Sequence, residues 1–410
     1  MQRFGLLGKS LKHSYSPMIH AEFGDYEYKL YEKAPEELDE FFAVSDFDGL
    51  NVTIPYKKTI LKYCNDLSDT AKTAGCVNTI IKKDDNRLYG DNTDGFGFLY
   101  LLNKAKIDVT KGKTLVLGSG GSSQTVQTVL KNEKAKEIVV ISRSGAVNYE
   151  NINKHNDAIL IVNTTPVGMY PDNGDTPIED LSIFKNCRKV IDLIYNPAIT
   201  ELMFQAEKLD IPSHNGLSML VAQAKRSAEL FTRSNILDDV IEKVSKHIEN
   251  QTQNIILIGM PGCGKTITGK ELAKNLNRNF ADIDEIIAER TGKSPADIIT
   301  KDGEELFRIL ETDVLAETCK KSSQIIATGG GVVTKSQNRD IMRQNGILVY
   351  LERNLNELPT SDRPLSQQKG LKTLATERIP LYENWCNLKI KQGDTLTTPA
   401  LCATPPKRGI

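Results

Sequence analysis

The chain has 410 residues, of which 39% are hydrophobic and 26% charged. At about 150 residues per domain, this length predicts two or three domains. The 52 basic and 53 acidic side chains leave a formal charge of -1, which disfavours nucleic-acid binding because phosphate backbones select a basic excess. No run approaches the ~20 apolar residues of a spanning helix, and the N-terminal apolar run is too short for a signal peptide. We therefore predict a cytoplasmic protein without membrane association.

The elements of the first half indicate two lobes. Residues 1–93 mix short strands, such as RFGLLG and EYKLYE, with helical segments. Residues from about 105 to 212 alternate strands and helices, which is typical of βαβ units with a parallel sheet. Apolar spacing predicts helix from 218 to 248, and this segment is expected to pack back on the first lobe and leave a cleft.

A polar stretch at 249–254 predicts a linker, and we divide the chain near residue 250. The predicted organisation is one lobe from 1–104 plus 217–249 and a nucleotide-binding lobe at 105–216. A linker at 250–254 leads to a second α/β domain at 255–392. Three prolines in the last residues disfavour a helix, so we expect 393–410 to be a disordered tail.

The first glycine-rich loop follows the strand-like run 114–117 and reads Gly118-Ser119-Gly120-Gly121-Ser122. Glycines let the backbone approach a pyrophosphate, and the following helix N-terminus attracts its charge. After the next predicted strand, Arg143 stands where an NAD site usually has an acidic residue. A guanidinium suits the 2′-phosphate of NADP, so the motif favours NADP.

The second loop, Gly259 to Thr266, is a complete phosphate-binding loop between a strand and a helix. In such loops backbone N–H groups hold the phosphates, Lys265 reaches the β and γ oxygens, and the Thr266 hydroxyl binds Mg²⁺. The motif predicts a nucleotide-binding site and leaves the acceptor open.

Ordered motifs in residues 2–235 resemble shikimate dehydrogenase. They are HSYSPMIH at 13–20, GLNVTIPYK at 49–57, AGCVNT at 74–79, GDNTDG at 90–95, NTTPVGM at 163–169, DLIYNP at 192–197 and NGLSMLVAQ at 215–223. The resemblance implies Lys57 and Asp94 as the acid–base pair. Asp94 is also a candidate N-cap for the helix that follows. The implied substrate-binding residues are Ser14, Ser16, Thr53, Asn78, Asp94, Tyr195 and Gln223.

The same resemblance extends the NADP site beyond the glycine loop. The implied cofactor residues are Asp69, Gly118, Ser119, Gly120, Gly121, Ser122, Ser142, Arg143, Ser144, Gly145, Ala146, Val147, Leu193 and Gly216. The family often has Asn where this chain has Ser142. We interpret His13 and His20 as structural residues around the substrate loop.

The second half resembles shikimate kinase through the phosphate loop, FADID at 280–284, GEELFR at 303–308, GGG at 329–331, SDRPL at 361–365 and RIPLY at 378–382. The resemblance implies that Thr266 and Asp282 bind Mg²⁺ and that Asp284 binds the acceptor hydroxyls and takes a proton. Arg308, Gly330 and Arg378 would bind the acceptor, and Arg363 would close a lid at 354–370 over the phosphates. The implied ATP-binding residues are Gly262, Cys263, Gly264, Lys265, Thr266, Ile267 and Arg363.

The fold class expected from both halves is α/β: a two-lobed dehydrogenase with a Rossmann-like NADP lobe, then a P-loop kinase domain with a parallel sheet. The expected enzyme reduces 3-dehydroshikimate with NADPH and phosphorylates shikimate with ATP and Mg²⁺. The alternative is a quinate/shikimate dehydrogenase fused to a non-catalytic, kinase-like sensing module. A homodimer through the dehydrogenase half is a hypothesis that the sequence leaves open.

Overall fold

The computed structural model describes residues 2–11, 14–359, 370–391 and 394. The chain forms two compact units, one of Met1–Tyr195 with Thr200–Ile248 and the other of Asn196–Ile199 with Glu249–Ile410. Among the described residues, no helix has both the length and the apolar character that crossing a membrane requires.

The first lobe of the first unit is built on a six-stranded mixed sheet in the order β2-β1-β3-β5-β6-β4. Its strands are β1 (Arg3–Gly8), β2 (Glu27–Glu32), β3 (Gly49–Val52), β4 (Asp66–Leu67), β5 (Thr79–Lys82) and β6 (Leu88–Asp91). Strands β1, β2 and β3 run parallel, whereas β5 is antiparallel to both β3 and β6. The helices of this lobe are α1 (Ser16–Ala21), α2 (Leu38–Val44), α3 (Asp69–Ala74) and α4 (Asp94–Ala105).

The second lobe has a five-stranded, fully parallel sheet in the order β11-β10-β9-β7-β8, as the alternating pattern predicted. Its elements are β7 (Lys113–Leu117), α5 (Gly121–Asn132), β8 (Glu137–Ile141), β9 (Leu160–Asn163), β10 (Lys189–Asp192), α6 (Glu201–Lys208) and β11 (Ser213–His214). Apolar clusters centred on Val116 and Leu115 cover its two faces, because neighbouring side chains of a strand point to opposite sides.

The chain then returns to the first lobe through α7 (Leu217–Thr232) and α8 (Val240–Thr252). Val221 and Ala222 of α7, with Ile241 and Ile248 of α8, pack against Ile19 of α1. The two helices thus lie where the predicted return to the first lobe requires, and the segment expected to be helical from 218 to 248 is divided between them. The first ends at Arg233, whose φ of 54° is left-handed.

The second unit is a parallel sheet in the order β13-β14-β12-β15-β16, which confirms the predicted fold class. Its strands are β12 (Asn254–Ile258), β13 (Asn279–Asp282), β14 (Gln324–Ala327), β15 (Gly346–Leu351) and β16 (Leu388–Ile390). Its helices are α9 (Lys265–Leu276), α10 (Ile283–Thr291), α11 (Pro295–Asp297), α12 (Glu304–Lys320), α13 (Gln337–Arg343) and α14 (Leu371–Trp385).

The polar segment 250–254 is regular structure rather than the expected linker. Helix α8 continues to Thr252, and β12 begins at Asn254. The Arg278 guanidinium donates hydrogen bonds to the carbonyl oxygens of Gln253, at 2.9 Å, and Asn250. A cation that donates to the free carbonyl oxygens at a helix C-terminus stabilises that end of the helix, so the polar residues there can remain helical.

Candidate active sites

Lys57 and Asp94 form an ion pair in the first unit. Lys57 Nζ donates to Asp94 Oδ2 at 2.6 Å, and the two side chains are 19% and 9% exposed. Lys57 follows β3, and Asp94 is the first residue of α4. The N-cap position belongs to Thr93, and no side-chain hydrogen bond caps the helix there. The N-cap interpretation of Asp94 is therefore wrong, because Lys57 and Asn78 occupy its carboxylate oxygens.

Asn78 and Gln223 lie beside this pair, as their predicted substrate role requires. Asn78 Nδ2 donates to Asp94 Oδ1 at 2.9 Å and lies 3.3 Å from Gln223 Oε1. Gln223 comes from α7, so the return of that helix brings two of the predicted residues together. The cluster offers a cation, a carboxylate and amide groups, which suits a small polyhydroxylated molecule.

The predicted carboxylate-binding residues supply neutral donors. Ser16 begins α1 and is buried, and its backbone N–H donates to Ser14 Oγ at 3.2 Å. Burial raises the pKa of Tyr195 to about 12, so its phenol keeps its proton near neutral pH. Thr53 is partly exposed directly after β3, four residues before Lys57.

The glycine loop joins β7 to α5 as predicted. Ser119 and Gly120 are exposed, and a Cβ on Gly120 would meet no heavy atom within 4 Å, so the turn leaves its backbone open to a ligand. A Cβ on Gly121 would lie 4.0 Å from Cys76 Sγ. Cys76 in turn accepts a hydrogen bond from Asn92, two residues before Asp94. The nucleotide loop therefore lies close to the segment that carries the ion pair.

The predicted 2′-phosphate site is an exposed turn after β8. The Ser142 backbone N–H donates to the Val147 carbonyl oxygen at 3.2 Å, and Gly145 N–H donates back to Ser142. Ser144 and Ala146 complete this turn. Arg143 is exposed, and within the described part of the chain no carboxylate forms an ion pair with it. Its guanidinium is thus available to an anion.

Leu193 and Gly216 lie against each other at the end of the parallel sheet. A Cβ on Gly216 would overlap the Leu193 carbonyl group, so only glycine permits this approach. Asp69 differs from the other predicted cofactor residues. It is exposed on α3 and pairs with Lys72 at 3.5 Å, and among the described residues no hydrogen bond or ion pair joins it to the glycine loop.

In the second unit, the phosphate loop turns through three glycines with positive φ, which are Gly259, Gly262 and Gly264. Lys265 is 7% exposed, and its Nζ donates to the carbonyl oxygens of Gly259 at 2.9 Å and Met260 at 3.0 Å. The lysine is thereby held across the loop. Cys263 is buried beneath the turn, and the Ile267 side chain is 68% exposed.

The predicted magnesium-binding residues lie side by side. Thr266 Oγ1 donates to Asp282 Oδ2 at 2.7 Å. A hydroxyl and a carboxylate are hard oxygen ligands of the kind that Mg²⁺ prefers. The two residues therefore fit the ion that the phosphate loop implies.

Asp284 and Arg308 lie next to a buried carboxylate, Glu311. Burial raises the pKa of Asp284 to about 7, and the Glu311 and Asp282 carboxylates add to this effect. Arg308 is 5% exposed and donates to Glu311 Oε2 at 2.7 Å. Asp284 Oδ1 and Glu311 Oε1 are both buried without a hydrogen-bond partner in the described chain. A Cβ on Gly329 would lie 3.1 Å from the first atom and 2.5 Å from the second, so both oxygens meet at this glycine.

Arg378 and Gly330 complete the predicted acceptor site. Arg378 on α14 is 2% exposed, and its Nε is buried without a hydrogen-bond partner among the described residues. The Tyr382 hydroxyl, one turn later, donates to the Gly330 carbonyl oxygen. A Cβ on Gly330 would lie 2.6 Å from Pro261 of the phosphate loop. Arg363, the predicted lid arginine, and most of the lid lie outside the described residues, as does His13.

Sequence reasoning assigned no role to several residues of these sites. Glu311 follows the GEELFR motif by three residues and Tyr382 lies within the RIPLY motif, but only the fold shows their contacts with Arg308 and Gly330. Asn51 and Ser227 belong to a buried polar cluster behind Asn78. No sequence signal distinguishes such serines and asparagines from capping or surface residues.

Together the fold and the sites define two nucleotide-dependent enzyme units: a dinucleotide-type dehydrogenase with a lysine–aspartate pair, and a P-loop phosphotransferase. The profile of the shikimate dehydrogenase substrate binding domain matches residues 6–80, and that of shikimate kinase matches residues 261–400. The shikimate dehydrogenase (NADP(+)) of Clostridium beijerinckii is 36% identical over 271 residues, covering 61% of this chain and 99% of that protein. The chain therefore belongs to the shikimate dehydrogenase family and carries a shikimate kinase domain.

Two solved structures resemble the first unit. Shikimate dehydrogenase 1 from Peptoclostridium difficile is 34% identical, with a TM-score of 0.57 over 60% of this chain and 98% of that chain. A chorismate mutase/shikimate 5-dehydrogenase fusion protein from Clostridium acetobutylicum is 32% identical, with a TM-score of 0.57 over 61% of this chain and 97% of that chain. The second shows that a dehydrogenase of this family occurs fused to another enzyme.

Proposed function

We propose that this chain is a bifunctional enzyme of aromatic amino acid (chorismate) biosynthesis. One unit reduces 3-dehydroshikimate reversibly to shikimate with NADPH, and the other phosphorylates shikimate to shikimate 3-phosphate with ATP. The observation that carries this proposal is the presence, in one chain, of the Lys57–Asp94 pair near a nucleotide loop and of a phosphate loop near Asp284 and Arg308. The first reaction makes the acceptor that the second consumes.

In the dehydrogenase reaction NADPH, when bound, supplies the hydride for the keto carbon. Lys57 gives a proton to the oxygen as the carbonyl becomes a hydroxyl, and in the reverse direction it removes that proton. Asp94, 2.6 Å from Lys57 Nζ, orients the lysine side chain through their ion pair. Asn78, Gln223 and Thr53 hold the ring hydroxyls.

Neutral hydrogen-bond donors hold the carboxylate of the same substrate. Ser14, Ser16 and Tyr195 fill this role, and the raised pKa of Tyr195 keeps its hydroxyl a donor. Arg143 selects NADP through the 2′-phosphate, because a guanidinium binds phosphate oxygens in a bidentate manner. The turn around Arg143 is exposed, as cofactor access requires.

In the kinase reaction the acceptor 3-hydroxyl attacks the γ-phosphorus, and the bond to the leaving ADP oxygen breaks. Asp284 takes the hydroxyl proton, for which a pKa of about 7 is suited. Arg308 and Arg378 bind the acceptor carboxylate. Lys265 would exchange its loop carbonyl partners for phosphate oxygens, and Thr266 with Asp282 would hold the Mg²⁺, whose charge would offset that of the phosphates.

The proposed partners are small metabolites, with no nucleic acid and no membrane. We place the enzyme in the cytoplasm, where NADPH and ATP are both available, and expect a homodimer through the dehydrogenase unit. Light scattering of the purified chain measures the mass in solution. A mass near that of one chain would contradict the dimer without affecting the catalytic assignment.

The test is a pair of assays on the full chain with shikimate as the common substrate. Shikimate with NADP should yield NADPH, and shikimate with MgATP should yield ADP. Lys57→Ala should abolish only the first activity and Lys265→Ala only the second, so each variant controls for contaminants in the other assay. A preference for quinate over shikimate would overturn the substrate assignment. Absence of ADP release from folded protein would favour the sensing-module alternative.

A further inference from the structure

Behind the Lys57–Asp94 pair lies a buried cluster of hydroxyl and amide groups that the proposed mechanism does not use. Its centre is Ser227 on α7, which is 0% exposed. Ser227 Oγ lies 2.9 Å from Thr79 Oγ1 and 3.0 Å from Thr93 Oγ1. It also accepts a hydrogen bond from Asn51 Nδ2 at 2.8 Å.

Ser227 has more polar contacts than a buried serine on a helix requires to satisfy its hydroxyl group. Ser227 already donates to the carbonyl oxygen of Gln223 at 3.0 Å, the usual way in which a helix satisfies a buried serine. The Asn51 amide is oriented by the Tyr28 hydroxyl, which donates to its Oδ1 at 2.8 Å and leaves Nδ2 to face Ser227. Ser227 Oγ thus accepts from Asn51 and from the Thr93 hydroxyl, and it lies beside Thr79.

The cluster ends on Asn78, which contacts Asp94. The Thr93 backbone N–H donates to Asn78 Oδ1 at 2.8 Å, and Thr79 Oγ1 donates to the same atom at 3.0 Å. With Oδ1 occupied in this way, Asn78 Nδ2 faces Asp94 Oδ1 at 2.9 Å. An amide in the opposite orientation would place its oxygen against the carboxylate and would lose that donor.

We propose that Ser227 is a positioning residue for the dehydrogenase reaction. By accepting from the Thr93 hydroxyl it leaves Thr93 Oγ1 to accept from Asn78 Nδ2 at 3.0 Å. This keeps the Asn78 amide oriented so that it donates to Asp94, and Asp94 then holds Lys57. This inference rests on the function proposed for the site. Without the Ser227 hydroxyl, the Thr93 hydroxyl loses its acceptor, and its hydrogen bond with Asn78 Nδ2 is weakened.

The test compares Ser227→Ala with Ser245→Ala in the full chain. Ser245 on α8 is also a buried serine, at 7% exposed, but its Oγ has no hydrogen-bond partner among the described residues. Loss of one buried hydrogen bond costs on the order of 1 kcal/mol, so kcat for shikimate oxidation should fall by about fivefold in Ser227→Ala. The KM for shikimate should rise, while the KM for NADP and the rate of ADP release should stay at wild-type values. Ser245→Ala should match wild type in kcat, in both KM values and in the rate of ADP release.

A conservative variant separates positioning from packing. Ser227→Thr keeps the hydroxyl and should recover part of the lost kcat, although its added methyl group perturbs the core more than alanine does. The proposal is overturned if Ser227→Ala keeps kcat within twofold of Ser245→Ala, or if the KM for NADP rises in parallel with that for shikimate. A wild-type chain that does not oxidise shikimate would instead overturn the proposed function.

Discussion

Gly331→Ala should impair the kinase reaction through Arg308 alone. Gly331 has a φ of -99°, so alanine fits its backbone without strain. Its Cβ, however, would overlap the Arg308 guanidinium. The overlapping atoms end a flexible side chain, so we expect the guanidinium to move away while the fold persists. Arg308 would then lose its 2.7 Å bond to Glu311 and its proposed contact with the acceptor carboxylate.

The size of the effect follows from that displacement. A hydrogen bond to a charged group contributes about 1.5–3 kcal/mol, which corresponds to about tenfold to a hundredfold in kcat/KM for shikimate. ADP release measured over a range of shikimate concentrations gives this value. NADPH formation by the same protein should be unchanged, so the dehydrogenase unit serves as an internal control for concentration and handling.

A double-mutant cycle decides whether Arg308 carries the effect. Gly331→Ala should lower kcat/KM strongly in the wild-type background and hardly at all in the Arg308→Ala background, because the displaced group is then already gone. Equal losses in both backgrounds would refute the reasoning, since alanine would then be acting on the backbone or on another part of the site.

Two further predictions concern the dehydrogenase unit. Arg143→Ala should raise the KM for NADP about tenfold and leave that for NAD unchanged, because only NADP has the 2′-phosphate; steady-state kinetics with both cofactors test this, and a parallel rise would contradict it. Burial lowers the pKa of His20 from 6.5 to about 3 in the folded chain, so protonation favours the unfolded chain as the pH falls below 6.5. The free energy of unfolding should drop by up to about 1.4 kcal/mol per pH unit there, and urea titrations should show a shallower drop in His20→Phe. Identical slopes for the two proteins would contradict the assignment to His20.

Local sequence patterns predicted the strand, glycine loop and helix that form the nucleotide-binding part of each unit. Strand, glycine loop and helix follow one another at Leu117 to Gly121 and again at Ile258 to Lys265, and the structure confirms both. Such units are readable because hydrophobic runs and glycine turns act over a few residues. Because these patterns cover only a few residues, they do not include contacts with distant parts of the chain, and one prediction was wrong for this reason. Composition indicated a linker at 250–254, whereas contacts from Arg278, more than twenty residues later, hold that segment as the end of a helix and the start of a strand.

The short strands of the first lobe and their mixed directions were likewise not predictable from local sequence patterns. Strand β4 has only two residues, Asp66 and Leu67, and exists because it pairs with β6. The antiparallel position of β5 follows from the packing of the sheet as a whole. A helix was predicted to begin after Asp94 and begins at Asp94 itself, but this helix position does not determine which partner the Asp94 carboxylate takes.

The sequence by itself therefore determined which chemical groups the protein has: two phosphate-type loops, a lysine and an aspartate in ordered motifs, and arginines at family positions. Only the tertiary structure decided how those groups are oriented. Asn78 meets Gln223 across 145 positions of sequence, and Gly331 leaves the space that Arg308 fills. Hydrogen-bond direction and steric room depend on neighbours that are distant in the chain, so they appear only when the lobes and sheets have packed.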